Sequence, residues 1–193
     1  MNAIVKELNI FFNKNKVNSV ILSISGGVDS VSLLNILLSV KLINRDLKIH
    51  LYHINYNAHN KSDEAENLCN YYSNKDDLPI YIDSVNLGNK NFESNARRIR
   101  YNNLKKNKIK NNIDLILTAH TYDDQIETLI MKDLENADWV SMIGIRVFNK
   151  GIYRPLLEIT KNTIYDYAKN NSLMWIEDPS NLCDSFKRNK IRH

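Results

Sequence analysis

Apolar and polar positions along the chain follow two periods, one helical and one of short buried runs. Near the amino end Ile4, Val5, Leu8, Phe11 and Phe12 share one helical stripe. An apolar run over residues 20–24 follows, bounded by polar residues and by a Gly-Gly pair, and predicts a buried strand entering a tight turn. Residues 31–42 are too many and too apolar for a strand, and predict a helix buried against a sheet. The alternation repeats as strand 49–54, helix 62–73, strand 80–82, helix 93–108, strand 113–118 and helix 123–134. Strands that alternate with helices pair in parallel through right-handed crossovers. The expected fold is therefore α/β, a doubly wound, mostly parallel sheet with helices on both faces.

Ligands of such sheets bind beyond the carboxyl ends of the strands, near a switch in strand order. Polar residues gather at those ends: 25–30 after the first strand, His53 and Asn55 after the second, His120, Asp123 and Asp124 after the fourth. Beyond about residue 133 the pattern weakens. Arg154-Pro155-Leu156-Leu157 precedes a predicted helix over 160–171, and the tail, 175–193, is irregular and polar. No repeat or Gly/Ser linker marks a boundary, so residues 1–193 read as one domain, less regular after about 135.

Composition adjusts this picture only slightly. The 193 residues are 43% hydrophobic and 25% charged, near the globular average, which excludes wholesale disorder. A formal charge of +4 permits a nucleic-acid partner without requiring one. Distribution says more: Arg97, Arg98, Arg100, Lys105, Lys106, Lys108 and Lys110 crowd one predicted helix, either a solvated face or a polyanion site. Cys69 and Cys183 form no CxxC pair, so neither a zinc nor an iron–sulfur site has its ligands. With no signal peptide or transmembrane run, the expectation is a soluble, cytoplasmic protein without a membrane partner, an organelle being the other option.

The candidate chemistry begins at Ser25-Gly26-Gly27-Val28-Asp29-Ser30, between a buried strand and a buried helix. Two glycines let the backbone turn sharply and come close to a ligand. Exposed N–H groups and the positive end of the helix dipole then form an anion site, to which Ser25 and Ser30 add hydroxyls. It is not a Walker A loop, since GxxxxGK[ST] is absent. SGGxDS resembles the pyrophosphate loop of the ATP pyrophosphatase superfamily. That resemblance implies a Rossmann-like PP-loop fold and cleavage of ATP between its α and β phosphates, with a substrate oxygen adenylated.

Four further segments resemble tRNA-lysidine synthetases, in that family's order. They are His53-Ile54-Asn55-Tyr56 with Ser62-Asp63-Glu64-Ala65-Glu66, then Glu93-Ser94-Asn95-Ala96-Arg97-Arg98-Ile99-Arg100-Tyr101. Next come Thr118-Ala119-His120-Thr121-Tyr122-Asp123-Asp124-Gln125-Ile126-Glu127-Thr128, and finally Trp175-Ile176-Glu177-Asp178-Pro179-Ser180-Asn181 with Arg188-Asn189-Lys190-Ile191-Arg192-His193. The family prefers His where Tyr56 and Thr121 stand. It carries a Gly-rich stretch where this chain reads Lys132-Asp133-Leu134-Glu135-Asn136-Ala137-Asp138, up to Gly144-Ile145. It often continues into tRNA-binding C-terminal domains, so the chain reads as a truncated or a minimal form.

The resemblance implies ligation of lysine to the wobble cytidine of tRNA(Ile) with a CAU anticodon, through an adenylated cytidine. ATP falls to residues 25–30 with His53, Asn55, Arg97 and His120, and Mg²⁺ to Asp29 and Asp124. Asp29, Asp124, Glu127 and Arg188 are the catalytic candidates. Arg100, Asp123, Asp124, Glu127, Asp178, Asn181 and Arg192 are the candidates for contacts to tRNA or free lysine. A homodimer is left open. The alternatives are another enzyme of the superfamily, such as a tRNA thiolase or an amidating synthetase, or a nucleotide- or tRNA-binding module with reduced catalysis.

Overall fold

The apolar run that precedes the Gly-Gly pair becomes β1 (Ser19–Ser23), in the interior of the sheet. The computed structural model describes residues 2–58, 61–88, 91–136 and 143–177. Before β1 comes α1 (Asn2–Lys14); after it come α2 (Val28–Ile43), β2 (Lys48–Asn55), α3 (Ser62–Lys75), β3 (Ile80–Ser84) and α4 (Phe92–Lys110). Then follow β4 (Leu115–Leu117), α5 (Tyr122–Leu134), β5 (Phe148–Asn149), β6 (Ile152–Tyr153) and α6 (Lys161–Asn170). The strands order as β3-β2-β1-β4-β6-β5, all parallel except β5, which pairs antiparallel with β6 at the edge.

Side chains alternate across each strand, and that alternation sorts the core into two layers. Val20 and Leu22 of β1, Ile49 and Leu51 of β2, and Leu115 and Leu117 of β4 face a layer with Ile4, Leu8 and Phe12 of α1, the apolar residues of α2, Cys69 and Tyr72 of α3, and Ile164 of α6. Ile21, Tyr52, Ile54 and Ile116 point the other way, against Leu104 of α4. Helices thus cover both faces, as the pattern predicts. Nine of the sixteen α2 residues are buried, on every side of the helix, because α2 lies between the sheet and the pair α1 and α6.

The chain moves outward from β1 to β2 and β3, then jumps back to place β4 on the other flank of β1. The switch point therefore lies between β1 and β4. The loops after those strands leave the sheet side by side, which sets the site.

Two differences from the sequence pattern have local causes. The fourth strand covers only Leu115–Leu117, because the Ile113 amide still bonds to Lys108 O at the end of α4 and Asp114 is diverted to Ser19. The β5–β6 hairpin, invisible to periodicity at two residues per strand, turns at Lys150 and Gly151. Both have positive φ (49° and 77°), as a tight primed hairpin turn requires. On the α1 side, Phe11 stacks on Tyr153 with ring centroids 4.2 Å apart.

Asp114 ties β1 to β4 at their amino ends. Its Oδ2 accepts from Asn18 N, Ser19 N and Ser19 Oγ, each at 2.9 Å. Burial opposes ionisation, but these bonds and nearby Lys108 outweigh it and hold the carboxyl below its ordinary 3.8. Its contribution to stability is therefore complete above about that value and disappears as pH falls through the lower folded-state pKa. Asp114→Ala should cost about 1–2 kcal/mol in urea unfolding at pH 7, and the gap from wild type should close in acid. A gap that does not narrow as the pH is lowered contradicts this account.

Candidate functional site

The glycine loop is built by its own hydroxyls. Ser30 Oγ donates to Gly27 O at 2.9 Å and accepts from Ser25 N at 3.1 Å, while Gly27 N donates to Ser25 Oγ at 3.3 Å. Gly26 has φ +80°, and a Cβ there would lie 3.2–3.3 Å from Ala65 of α3, backbone included. Only glycine meets both conditions. Gly27 is the N-cap of α2 and makes no side-chain cap bond, so it satisfies none of the amides that open this buried helix. Val28 is buried inward, and Ser25 is exposed.

Three other segments hold the loop. His53 Nδ1 sits 3.0 Å from Ile24 O, which fixes the tautomer with the proton on Nδ1. Burial pushes the His53 pKa down, against the carbonyl of Ile24 and nearby Glu66, and leaves Nε2 a buried acceptor with no partner among the described residues. Ile176 N donates to Gly26 O at 2.9 Å, laying the segment before the tail across the loop. Lys161 Nζ lies 3.7 Å from Asp29 Oδ2.

Across the switch point, α5 begins at a capping box. Thr121 Oγ1 accepts from Asp124 N at 3.4 Å, and Asp124 Oδ2 accepts from Thr121 N at 2.8 Å. This gives a physical reason for threonine where the resembled family has histidine: Thr121 is 1% exposed and closes the helix end. Asp123 Oδ2 accepts from Lys161 N at 2.7 Å. Lys161 thus reaches Asp123 through its backbone and Asp29 through its side chain, joining both sides of the switch point. Glu127, one turn along from Asp124, is buried at 7% exposure. Gln125 Oε1 accepts from Ile145 N at 2.6 Å, and Gly144 takes φ +71° against the Gln125 amide. The Gly144-Ile145 pair docks on α5 although the Gly-rich stretch before it is replaced.

Beside the start of α5 lies a group of cations. The Arg97 and Arg100 guanidiniums stand 5.1 and 5.6 Å from the centre of the Tyr101 ring. Arg154, only 5% exposed, donates from Nη1 to Arg146 O at 2.8 Å and makes no ion pair with a described carboxylate. The Nε atoms of Arg100 and Arg154 are buried without acceptors among the described residues. Burial raises the Tyr101 phenol pKa, yet Arg97, Arg100 and Arg154 outweigh it and leave the value below 10.0. His120, whose Nδ1 lies 2.9 Å from Thr118 Oγ1, is held well below 6.5 first by burial and then by the same three arginines, against the pull of Asp124. A buried guanidinium without a carboxylate is costly, and among the described residues none pairs with Arg154.

The structure thus gathers residues 25–30, His53, Arg97, Arg100, His120, Asp123, Asp124 and Glu127 around one edge of the sheet. Asn55 stands at the same edge but is spent on structure: its Nδ2 donates to Asp63 and Glu66 at 3.0 and 2.9 Å, and its Oδ1 accepts from Asn57 N at 2.9 Å. Tyr56, in place of the family's second histidine, donates to Ala96 O at 2.9 Å and ties β2 to α4. Asp178, Asn181, Arg188 and Arg192 lie outside the described residues. Arg154 and Lys161 were not among the sequence candidates. A charged residue inside the apolar Arg154-Pro155-Leu156-Leu157 run was the available signal for the first, and nothing marked the second.

The two glycines separate scaffold from ligand approach. Gly26→Ala should destabilise the protein by about 1–3 kcal/mol in thermal or urea unfolding. Gly27→Ala, at φ −77° with only Ser25 Oγ 3.4 Å from its new Cβ, should stay within about 0.5 kcal/mol of wild type. Equal losses contradict the geometry. Nitrogen-15 NMR should find His120 neutral from pH 8 down to 5, whereas a midpoint near 6.5 contradicts the buried, cation-flanked environment described.

A family model described as PP-loop domain matches residues 1–193. The chain is similar to a tRNA(Ile)-lysidine synthase of Borrelia garinii (32% identical, covering 97% of this chain and 44% of the relative). It is also similar to that of Clostridium tetani (33%, covering 92% and 40%) and that of Buchnera aphidicola (35%, covering 90% and 40%). The chain therefore spans less than half the length of these relatives. Among solved structures, the U34-tRNA thiolase NcsA of Methanococcus maripaludis superposes with TM-score 0.74 at 17% identity, covering 97% of this chain and 70% of that one. An NH3-dependent NAD synthetase of Campylobacter jejuni gives TM-score 0.60 at 18% identity, covering 89% and 72%. These two share the fold. The match over the whole chain, with the glycine loop at the switch point of the sheet, places the chain in the PP-loop domain family.

Proposed function

We propose that the chain is the catalytic domain of a tRNA(Ile)-lysidine synthase, using ATP to join lysine to carbon 2 of the wobble cytidine in tRNA(Ile) with a CAU anticodon. The observation that carries this reading is the meeting, across one switch point, of an anion-binding glycine loop and an acidic helix start, joined through Lys161. The relatives bearing that enzyme's name support it along most of the chain.

The amides of the loop, with Ser25 and Ser30, hold the triphosphate, and the free Nε2 of His53 accepts a hydrogen bond from the nucleotide. The cytidine O2 forms a bond to the α-phosphorus while the bond to the β-phosphate oxygen breaks, releasing pyrophosphate. Fixed donors aimed at the phosphates stabilise the charge that develops. The neutral ε-amine of lysine then forms the bond to carbon 2, AMP leaves, and the proton lost from nitrogen passes to Asp124 or Glu127. Arg97, Arg100 and Arg154 receive an anionic group, a phosphate of the RNA or the carboxylate of lysine.

Among the described residues no group of three or more His, Cys, Asp or Glu side chains forms a metal cage. Asp29 and Asp124, one carboxylate on each side of the switch point, instead fit Mg²⁺ arriving on phosphates, the mode in which a protein supplies only one or two carboxylates. When bound, Mg²⁺ supplies charge neutralisation at the phosphates. No described helix is long and apolar enough to cross a membrane, which suits a cytoplasmic enzyme acting on tRNA. A homodimer has a candidate face in Tyr122, Ile126, Ile130 and Leu134, exposed and four apart along α5. A thiolase reading fares worse, because burial pushes the Cys69 thiol up to about 12, out of reach of a sulfur-carrying thiolate.

Asp29→Ala and Asp124→Asn should each lower ATP-dependent transfer of radiolabelled lysine to tRNA(Ile) by about 100-fold or more. Asparagine keeps an oxygen for the Thr121 amide, so a loss at Asp124→Asn without a fall in Tm points to charge and not to the cap. Near-normal incorporation in both variants rejects the assignment.

A further inference from the structure

The basic residues of α4 divide into two groups with different surroundings. Arg97 and Arg100 turn to Tyr101 and the site, and Lys108 lies near Asp114. Arg98, Lys105, Lys106 and Lys110 are exposed and form no ion pair with a described carboxylate. The only acidic residue of α4 itself is Glu93, in its first turn. At about 100° and 1.5 Å per residue, the four side chains occupy an arc of about 140° and a length of about 18 Å. A solvated helix face usually mixes signs or gains from i, i+4 pairs of opposite charge, and the face of Arg98, Lys105, Lys106 and Lys110 carries one sign only.

Placement gives the face a direction. The chain leaves β3 at the carboxyl edge, so α4 starts beside the glycine loop and the arginine corner and runs to the opposite edge of the sheet before β4. The basic face begins at Arg98, next in sequence to Arg97 of the arginine corner, and leads away from that end along α4. Along the second half of α4 Lys106 and Lys110 line a recess of about 400 Å³ with Asn103, Asn107 and Asp83 of β3, whose carboxylate accepts from Tyr52 Oη and Asn103 Nδ2 at 2.8 Å each. The recess combines two ammonium groups with amides, the donor set that phosphate and sugar oxygens accept from.

We infer that the outer face of α4 is a docking rail for the sugar–phosphate backbone of an RNA stem, holding the helix whose loop enters the site at the carboxyl edge. The inference rests on the reading that the site acts on tRNA and names the surface that carries the rest of that substrate. Lysines at helical spacing read charge and not sequence, so the rail contributes affinity and orientation while selection of the base is left to the edge of the sheet.

The test is fluorescence anisotropy of the chain with labelled tRNA(Ile), and with an unrelated RNA hairpin of equal stem length, over a range of salt. Lys105→Gln/Lys106→Gln/Lys110→Gln should weaken binding of both RNAs at least about 10-fold and lower the slope of log affinity against log salt by about 2–3. ATP affinity by calorimetry should not change. Lys6→Gln/Lys14→Gln/Lys16→Gln, which removes the same charge on and after α1 across the sheet, should do much less. Equal effects of the two triples, or an unchanged slope in the α4 triple, overturn the rail. Binding of both RNAs that depends on α4 without any lysine transfer leaves the rail standing and sinks the ligase reading. Normal transfer and affinity in the α4 triple do the reverse.

Discussion

The placement of β1 between β2 and β4 is the constraint from which the other features follow. Val20, Ile21 and Leu22 are each fully buried, because a central parallel strand has covering layers on both faces and neighbours on both edges. A strand so enclosed cannot shift its register without turning its apolar residues toward the wrong layer. Its carboxyl end is thereby fixed, and the loop that follows it emerges beside the loop that follows β4. The site consists of these two loops and of what reaches over them.

Charge at this edge is arranged so that the carboxylates proposed for the chemistry also serve the structure. Asp123 and Asp124 close helix ends through one oxygen each, toward Lys161 N and Thr121 N. A carboxylate oriented in this way loses little freedom when a substrate arrives, which is the condition for positioning reacting groups. The arginine corner follows the opposite logic. Arg154 is withdrawn from water, with the Arg146 carbonyl as its acceptor and no ion pair to a described carboxylate, at a cost in stability. The anion-receiving role proposed above would offset that cost.

Much of this was legible in the sequence. Each helix and strand of the first 134 residues announced itself through apolar spacing, and the Gly-Gly pair marked the turn between β1 and α2 that lies at the switch point. Less legible were features that depend on partners distant in the chain. Lys161 gains meaning only because α6 delivers it to residues 29 and 123, over 130 and 38 positions away. Asn55, chosen for its position at a strand end, is claimed by Asp63 and Glu66 one element later. The β5–β6 hairpin is too short for any period to register. Thr121 and Tyr56, departures from the resembled family, are explained by contacts and not by motif: one caps α5, the other bonds to the backbone of α4.

The glycine turn is held from three directions: Ala65 packs beneath Gly26, Ile176 bonds to its carbonyl, and the His53 ring grips the preceding Ile24. Its shape is thus settled during folding, and the conformational entropy of ordering it is charged to the fold and not to the binding event. A rigid receptor of this kind needs no closing motion of its own. Whatever pace the site has is set by diffusion, by chemistry or by segments other than the turn.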